Sequence, residues 1–134
     1  MPVTQAGLRD AAHRKFKDRA LEIRLSTGRD EASLVSGVLP ETSGYSHYGF
    51  TITTDGTYEQ APQTGITAWW TMGQVDALYS ATGGNYQYES AYLVDAADPS
   101  TPLQYQVFDS TTTVFDGGED ARVSLMLVEI ASDV

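Results

Sequence analysis

Hydrophobic and polar positions along the chain follow a helical period once, near its start, and a strand period afterwards. Apolar residues recur every four positions at Leu8, Ala12, Phe16 and Ala20. This spacing predicts an amphipathic helix from about Thr4 to Arg19, with Thr4 as its N-cap. From residue 21 to residue 26, apolar and polar residues then alternate, which predicts a strand that Gly28 closes. The chain is therefore expected to begin with one helix that leads directly into a strand.

The rest of the chain reads as short strands separated by turn residues. Strand candidates lie at residues 45–54, 57–60, 65–72, 74–81, 86–96, 103–115 and 121–131. Asp55-Gly56 is a turn signal after which residues 57–60 pair back on the strand before them. Eight or so strands at this spacing predict an all-β class, namely a jelly-roll-like antiparallel β-sandwich with a short N-terminal amphipathic helix. We expect a single domain over residues 1–134, with the helix at about 4–19 and the β-sandwich at about 20–132.

Charge is divided unevenly along the chain. The net charge is −10, yet residues 1–29 carry +4 and residues 30–134 carry −14. The basic residues are either a solvated helix face or an electrostatic contact with the acidic body of the same or a neighbouring subunit. Because the body is so acidic, neither nucleic acid nor an anionic membrane is an expected partner. No apolar run approaches the length of a membrane span, so we expect a protein made in the cytoplasm.

Residues that commonly carry catalysis form no recognisable pattern. The chain has no cysteine and only two histidines, His13 and His47, which is too few for a typical metal site. Phosphate-loop and nucleophile-elbow motifs are absent from the sequence. We therefore predict no enzyme activity, no catalytic residue, no cofactor and no metal, with a small hydrolase as a minor alternative. Calcium binding in one of two acidic turns stays open as a second minor alternative, and its candidate ligands are Asp95, Asp98, Asp116, Glu119 and Asp120.

Aromatic residues are the other candidates for a binding surface. Trp69 and Trp70 are neighbours in a strand, so one is expected to enter the core while the other faces outward or into an interface. Tyr86, Tyr88 and Tyr92 share one parity and are expected on one face. Three interpretations stay open, which are core packing, protein–protein contact and stacking on sugars.

The order of these features resembles the small virion proteins of tailed bacteriophages. The segments that carry the resemblance are "GLRDAAHRKF", "LEIRLSTG", "SGYSHYGFTI", "ITAWWTM", "VDALYSATGGNYQYESAYL" and "FDGGEDARVSLMLVEI", which together cover nearly the whole chain. Two segments depart from the pattern, at residues 29–42 and 101–115. The resemblance implies a jelly-roll-like sandwich with an N-terminal helix, no catalysis, and service as a repeated part of a particle.

The resulting expectation is a non-enzymatic virion structural protein, above all a capsid cement or decoration protein that stabilises the particle through subunit contacts. A tail, neck or baseplate component and a carbohydrate- or receptor-binding tail module are the alternatives. Expected partners are the major capsid protein or tail and baseplate subunits, together with further copies of the chain as a homo-oligomer, a trimer by analogy with jelly-roll proteins. The residues predicted to form the contacts are Arg14, Lys15, Lys17, Trp69, Trp70, Tyr86 and Tyr88.

Overall fold

The computed structural model describes residues 4–41, 45–60, 66–80, 85–114 and 120–132. These residues form one α-helix, α1 (Gln5–Phe16), and one short 3-10 helix (Glu31–Ser33). They also form seven strands, which are β1 (Leu21–Ser26), β2 (Tyr48–Phe50), β3 (Thr57–Gln60), β4 (Ile66–Ser80), β5 (Tyr86–Asp95), β6 (Gln104–Val114) and β7 (Asp120–Ser132).

The strands form two sheets. The first has the order β2-β1-β5-β6 and the second the order β3-β4-β7. The pairs β1–β2, β1–β5, β3–β4 and β5–β6 are all antiparallel. The predicted all-β class, an antiparallel sandwich of two sheets with a short N-terminal helix, is therefore confirmed. The expected return of residues 57–60 onto the preceding strand is wrong, because these residues pair with β4.

By its internal contacts the chain divides into two compact units. The helix unit comprises residues 1–19, 51–75 and 126–134, and the sandwich unit comprises residues 20–50 and 76–125. Strands β4 and β7 contribute residues to both units. Whether residues 1–134 behave as one folding domain stays a prediction.

Helix α1 is capped as predicted but ends three residues early. The Thr4 hydroxyl accepts a hydrogen bond from the Gly7 amide at 3.0 Å, and the apolar stripe of Leu8, Ala12 and Phe16 is buried. At Lys17 the backbone turns extended and forms a bridge with Ile52. The helix stops there because the next residues bond to residue 52 instead of continuing the helical ladder.

Strand β4 joins two segments whose alternation patterns do not match. Before Gly73 the buried positions are even-numbered (Ala68, Trp70 and Met72), and after it they are odd-numbered (Ala77 and Tyr79). Gly73 has a φ of +100°, which lets one residue shift the alternation without ending the strand. The sequence therefore suggested two strands, 65–72 and 74–81, where the structure has one.

The core of the sandwich unit is rich in tyrosine. The Tyr79 hydroxyl, from β4, donates to the Ile23 carbonyl of β1 at 2.8 Å and so joins the two sheets. The Tyr79 ring lies 5.4 Å from the ring of Tyr45 and 6.5 Å from that of Tyr48. On the other side of β5, Leu34 packs with Tyr92 and Val94. The hydroxyls of Tyr79 and Tyr45 can be buried because each has a hydrogen-bond partner.

Strand β6, at the edge of its sheet, is interrupted opposite Glu89. The register changes from Tyr88↔Thr112 to Ser90↔Val107, so four residues of β6 face a single residue of β5. Arg29 spans the irregularity, with its guanidinium 3.4 Å from the Glu89 carboxylate and 3.3 Å from the Phe108 carbonyl. Such a bulge disturbs the regular edge to which another strand could add.

Candidate assembly surface

The basic residues of α1 meet a turn at Asp55 within the helix unit. The Asp55 carbonyl accepts hydrogen bonds from Trp70 Nε1 at 2.8 Å and from His13 Nε2 at 2.7 Å. Lys17 Nζ forms an ion pair with the Asp55 carboxylate, and this hydrogen bond holds the pKa of Asp55 below its usual range. The turn is therefore fixed to both the helix and β4.

Both lysines of the predicted contact set are used inside the helix unit. Lys17 pairs with Asp55, and Lys15 lies 3.4 Å from the Glu129 carboxylate of β7. Arg14 is exposed and makes no ion pair with any other described residue. An assembly role for Lys15 and Lys17 stays a prediction, and Arg14 is the basic member of the set that is exposed.

The fold redistributes the charge that the sequence separates so sharply. The helix unit holds five basic and six acidic residues and has a net charge of −1, whereas the sandwich unit holds three basic and twelve acidic residues and has a net charge of −9. Acidic residues from distant parts of the chain join the basic helix in its unit. Of the two early interpretations, a contact with acidic groups of the same chain accounts for Lys15 and Lys17.

The two tryptophans lie on opposite faces of β4. Trp70 is 7% exposed, and its ring meets the His13 ring edge-on at 5.9 Å between centroids. Because adjacent side chains of a strand point to opposite faces, half-buried Trp69 lies on the face that α1 does not cover. In the β3–β4 register it stands opposite Glu59. The sequence alone could not show which of the two tryptophans is buried, because either alternation pattern fits a strand.

The face of the helix unit away from α1, which we call the outer face, is apolar along β7. Glu129 contacts α1 through Lys15 and Leu127 is buried, so the alternate residues point the other way. Among these, Met126 is 51% exposed and Ile130 is 50% exposed, with half-buried Val128 between them. Trp69, which is in the predicted contact set, lies on the same face of this sheet, whereas Met126, Val128 and Ile130 were not predicted as contact residues. The signal was present as the near-continuous apolar run of β7.

Tyr86 and Tyr88, also in the predicted contact set, are buried. The Tyr86 ring packs 5.6 Å from Tyr45, and the Tyr88 ring packs 5.7 Å edge-on against Phe108. Trp70, Tyr86 and Tyr88 therefore do not offer exposed rings for stacking on a sugar. Their role in subunit contacts stays a prediction.

Metal-ligating side chains do not gather anywhere in the described ranges, where no group of three such residues occurs. Asp95 accepts from the Ala97 amide at 2.9 Å and Asp98 accepts from the Ser100 hydroxyl at 3.1 Å, so both carboxylates cap their own turn. The second acidic turn, predicted at residues 116–120, lies outside the described residues except for Asp120, where β7 begins. Among the residues that the structure covers, no helix has the length and apolar character needed to span a membrane.

Comparison of the chain with models of protein families, with curated proteins and with solved structures gives no match.

Proposed function

We propose that the chain is a non-enzymatic structural protein of a tailed-bacteriophage particle. In its simplest form it is a capsid cement or decoration protein that acts as a homo-oligomer, and its location in the tail, neck or baseplate is the alternative. The protein is then made in the host cytoplasm and ends in the virion. Its partners are copies of itself and neighbouring shell or tail subunits.

The observation that carries this proposal is the outer face of the helix unit. Apart from Glu129, residues 126–130 of β7 are apolar on both faces, as is typical of strands covered on both sides, yet among the described elements α1 covers only one of these faces. Exposed apolar side chains that lie side by side mark interaction surfaces more often than chance exposure does. Glu59 provides a charged edge next to Trp69, in keeping with the polar rim of subunit interfaces.

Electrostatics favours the same surface. The sandwich unit carries −9 and keeps separate copies apart, whereas the helix unit is nearly neutral at −1. Acidic subunits can therefore approach each other with least repulsion at the outer face. The ordered resemblance to virion proteins along nearly the whole chain agrees with a role as a repeated part.

The experiment that tests location is quantitative mass spectrometry of purified particles, combined with cryo-electron microscopy of the same sample. A copy number in fixed proportion to the shell subunits, spread over the head, is expected for a cement protein. Copies confined to the neck, tail or baseplate would support the alternative location and exclude a role as a cement protein of the head. If the protein is missing from the particle, the proposal is wrong.

Charged substitutions on the outer face should abolish assembly without unfolding the chain. In the double variant Met126→Glu and Ile130→Glu, each exposed apolar side chain becomes an anion that must be desolvated on contact, at a cost of several kcal/mol. We expect the variant to stay monomeric in analytical ultracentrifugation at concentrations where the unaltered protein associates, and to be lost from particles.

Val35→Glu combined with Leu78→Glu is the matched control, because both residues are also exposed and apolar but belong to the sandwich unit. It adds the same kind of charge and should leave association unchanged. If the control loses association equally, the loss in the outer-face variant is caused by net charge. The outer face would then no longer support the proposal.

A further inference from the structure

One backbone amide of β1 is satisfied by a side chain where a neighbouring strand would normally satisfy it. Strand β2 pairs only with residues 21–23 of β1. Beyond that point the Leu25 amide donates to the Tyr45 hydroxyl at 2.8 Å, and the Leu25 carbonyl accepts from the Leu39 amide at 3.0 Å. Tyr45 is fully buried, so its hydroxyl takes the place of a strand–strand hydrogen bond inside the sandwich unit. We call this contact of the Tyr45 hydroxyl with the Leu25 amide the cap of β1.

The cap is extended by His47. The Tyr45 hydroxyl lies 2.8 Å from His47 Nδ1, and it has a single proton to donate. His47 Nδ1 is the acceptor that the described residues offer to this hydroxyl proton, so we assign the proton of the Tyr45–His47 hydrogen bond to the hydroxyl and leave Nδ1 unprotonated. The neutral ring therefore carries its proton on Nε2, which lies 3.8 Å from the Glu41 carboxylate. Glu41 also accepts from the His47 amide at 3.2 Å.

We propose that His47 is a proton-operated latch, which holds Tyr45 on the edge of β1 while its ring is neutral and releases it when Nδ1 takes up a proton. This device is independent of the assembly role proposed above. Release would expose the Leu25 amide and loosen the segment Tyr45–His47 that leads into β2.

Hydrogen-bond geometry explains why the protonated ring cannot keep the latch closed. With a proton on Nδ1, both His47 and the Leu25 amide would point donors at the Tyr45 oxygen. The hydroxyl proton would then need a new acceptor, and no other described residue hydrogen-bonds to this hydroxyl. A buried donor left without an acceptor favours the open arrangement.

The surrounding charges agree with this direction. Burial and then the Arg24 guanidinium of β1 lower the pKa of His47 below its ordinary 6.5, against the opposing effects of Glu41 and Glu22. Tyr92 of β5 also faces the cluster, and burial raises its pKa, so it stays neutral. Because the closed state disfavours the charged ring, its stability is full above pH 6.5 and is lost as the pH falls through the lowered pKa of the folded state.

The test is amide hydrogen exchange by NMR on the full chain as the pH falls from 7.5 to about 4.5, with the His47 ring followed in the same sample. After correction for intrinsic rates, the Leu25 amide should lose protection relative to residues 21–23. The loss should be about tenfold for each unit by which closure lowers the pKa of His47. The ring should show the Nε2-protonated tautomer at the upper pH.

Two variants separate the latch from general acid sensitivity. His47→Asn keeps an acceptor near the Nδ1 position but cannot titrate, so Leu25 protection should no longer depend on pH. Glu41→Gln removes a group that favours the charged ring, so the loss of protection should shift to lower pH. The latch is disproved if Leu25 keeps its protection while His47 titrates, if His47 never titrates in this range, or if its Nδ1 is protonated at pH 7.5.

Discussion

Replacing Gly56 with alanine should destabilise the protein by about 3 kcal/mol, because two penalties fall on one position. Gly56 has a φ of +80°, a conformation that residues with a Cβ rarely adopt. A Cβ there would also come within 2.4 Å of Trp70 Nε1 and 2.5 Å of the Thr71 carbonyl oxygen. Moving Trp70 away would break its hydrogen bond to the Asp55 carbonyl.

Gly73→Ala is the matched control for that substitution. Gly73 also has a positive φ, at +100°, but a Cβ there meets no atom within 4 Å. This variant should therefore lose only the backbone contribution, about 1–2 kcal/mol. Both values are measured by urea denaturation followed through tryptophan fluorescence. Equal losses at the two glycines would show that crowding around Trp70 contributes nothing.

Phe16→Ala should cost about 3–5 kcal/mol, the range found when a fully buried aromatic side chain is removed. Phe16 has no exposed surface and is the last buried residue of the α1 stripe, and Lys15 Nζ lies 5.3 Å from its ring centre. A loss of this size is a large fraction of the stability of a small protein. Circular dichroism and the denaturation midpoint would report it, together with the change in Trp70 fluorescence if α1 leaves β4.

Phe16→Leu keeps most of the buried volume and should cost less than about 1.5 kcal/mol. If the alanine variant were as stable as the leucine variant, α1 would contribute little to the helix unit. The result also bears on assembly, since α1 covers one face of the same strands, β4 and β7, whose other face we propose as the contact surface. If α1 packs loosely on β4 and β7, the proposed contact surface on the other face of these strands should be disturbed as well.

Several features of this chain could be read directly because they depend on neighbours in sequence. The Thr4 cap and the buried stripe of α1 follow from four-residue spacing, and β1 follows from strict alternation. The end of α1 could not be read in this way. It is set by Ile52, which binds the backbone at residues 17 and 18 from a distant part of the chain.

The predicted contact residues also show the difference between what neighbours in sequence determine and what distant residues determine. Basic and aromatic side chains were chosen because of their chemistry, yet Lys15 and Lys17 found partners inside the helix unit and Tyr86 and Tyr88 are buried. Their partners lie tens of residues away, and composition does not reveal such distances. Residues 126–130 were recognised as part of the last strand, but which side of it α1 would cover was not determined by alternation alone.

By itself, the sequence determined the all-β class, the N-terminal α-helix with its first turn, and the turn at Asp55-Gly56, since these follow from local periodicity and backbone sterics. Only the tertiary structure decided that β3 pairs with β4, that Trp70 and not Trp69 is buried, and that Lys15 and Lys17 form ion pairs with Glu129 and Asp55. The physical reason is that strand pairing, burial and ion pairing join residues far apart in the chain. Many arrangements share one local pattern, and packing selects among them.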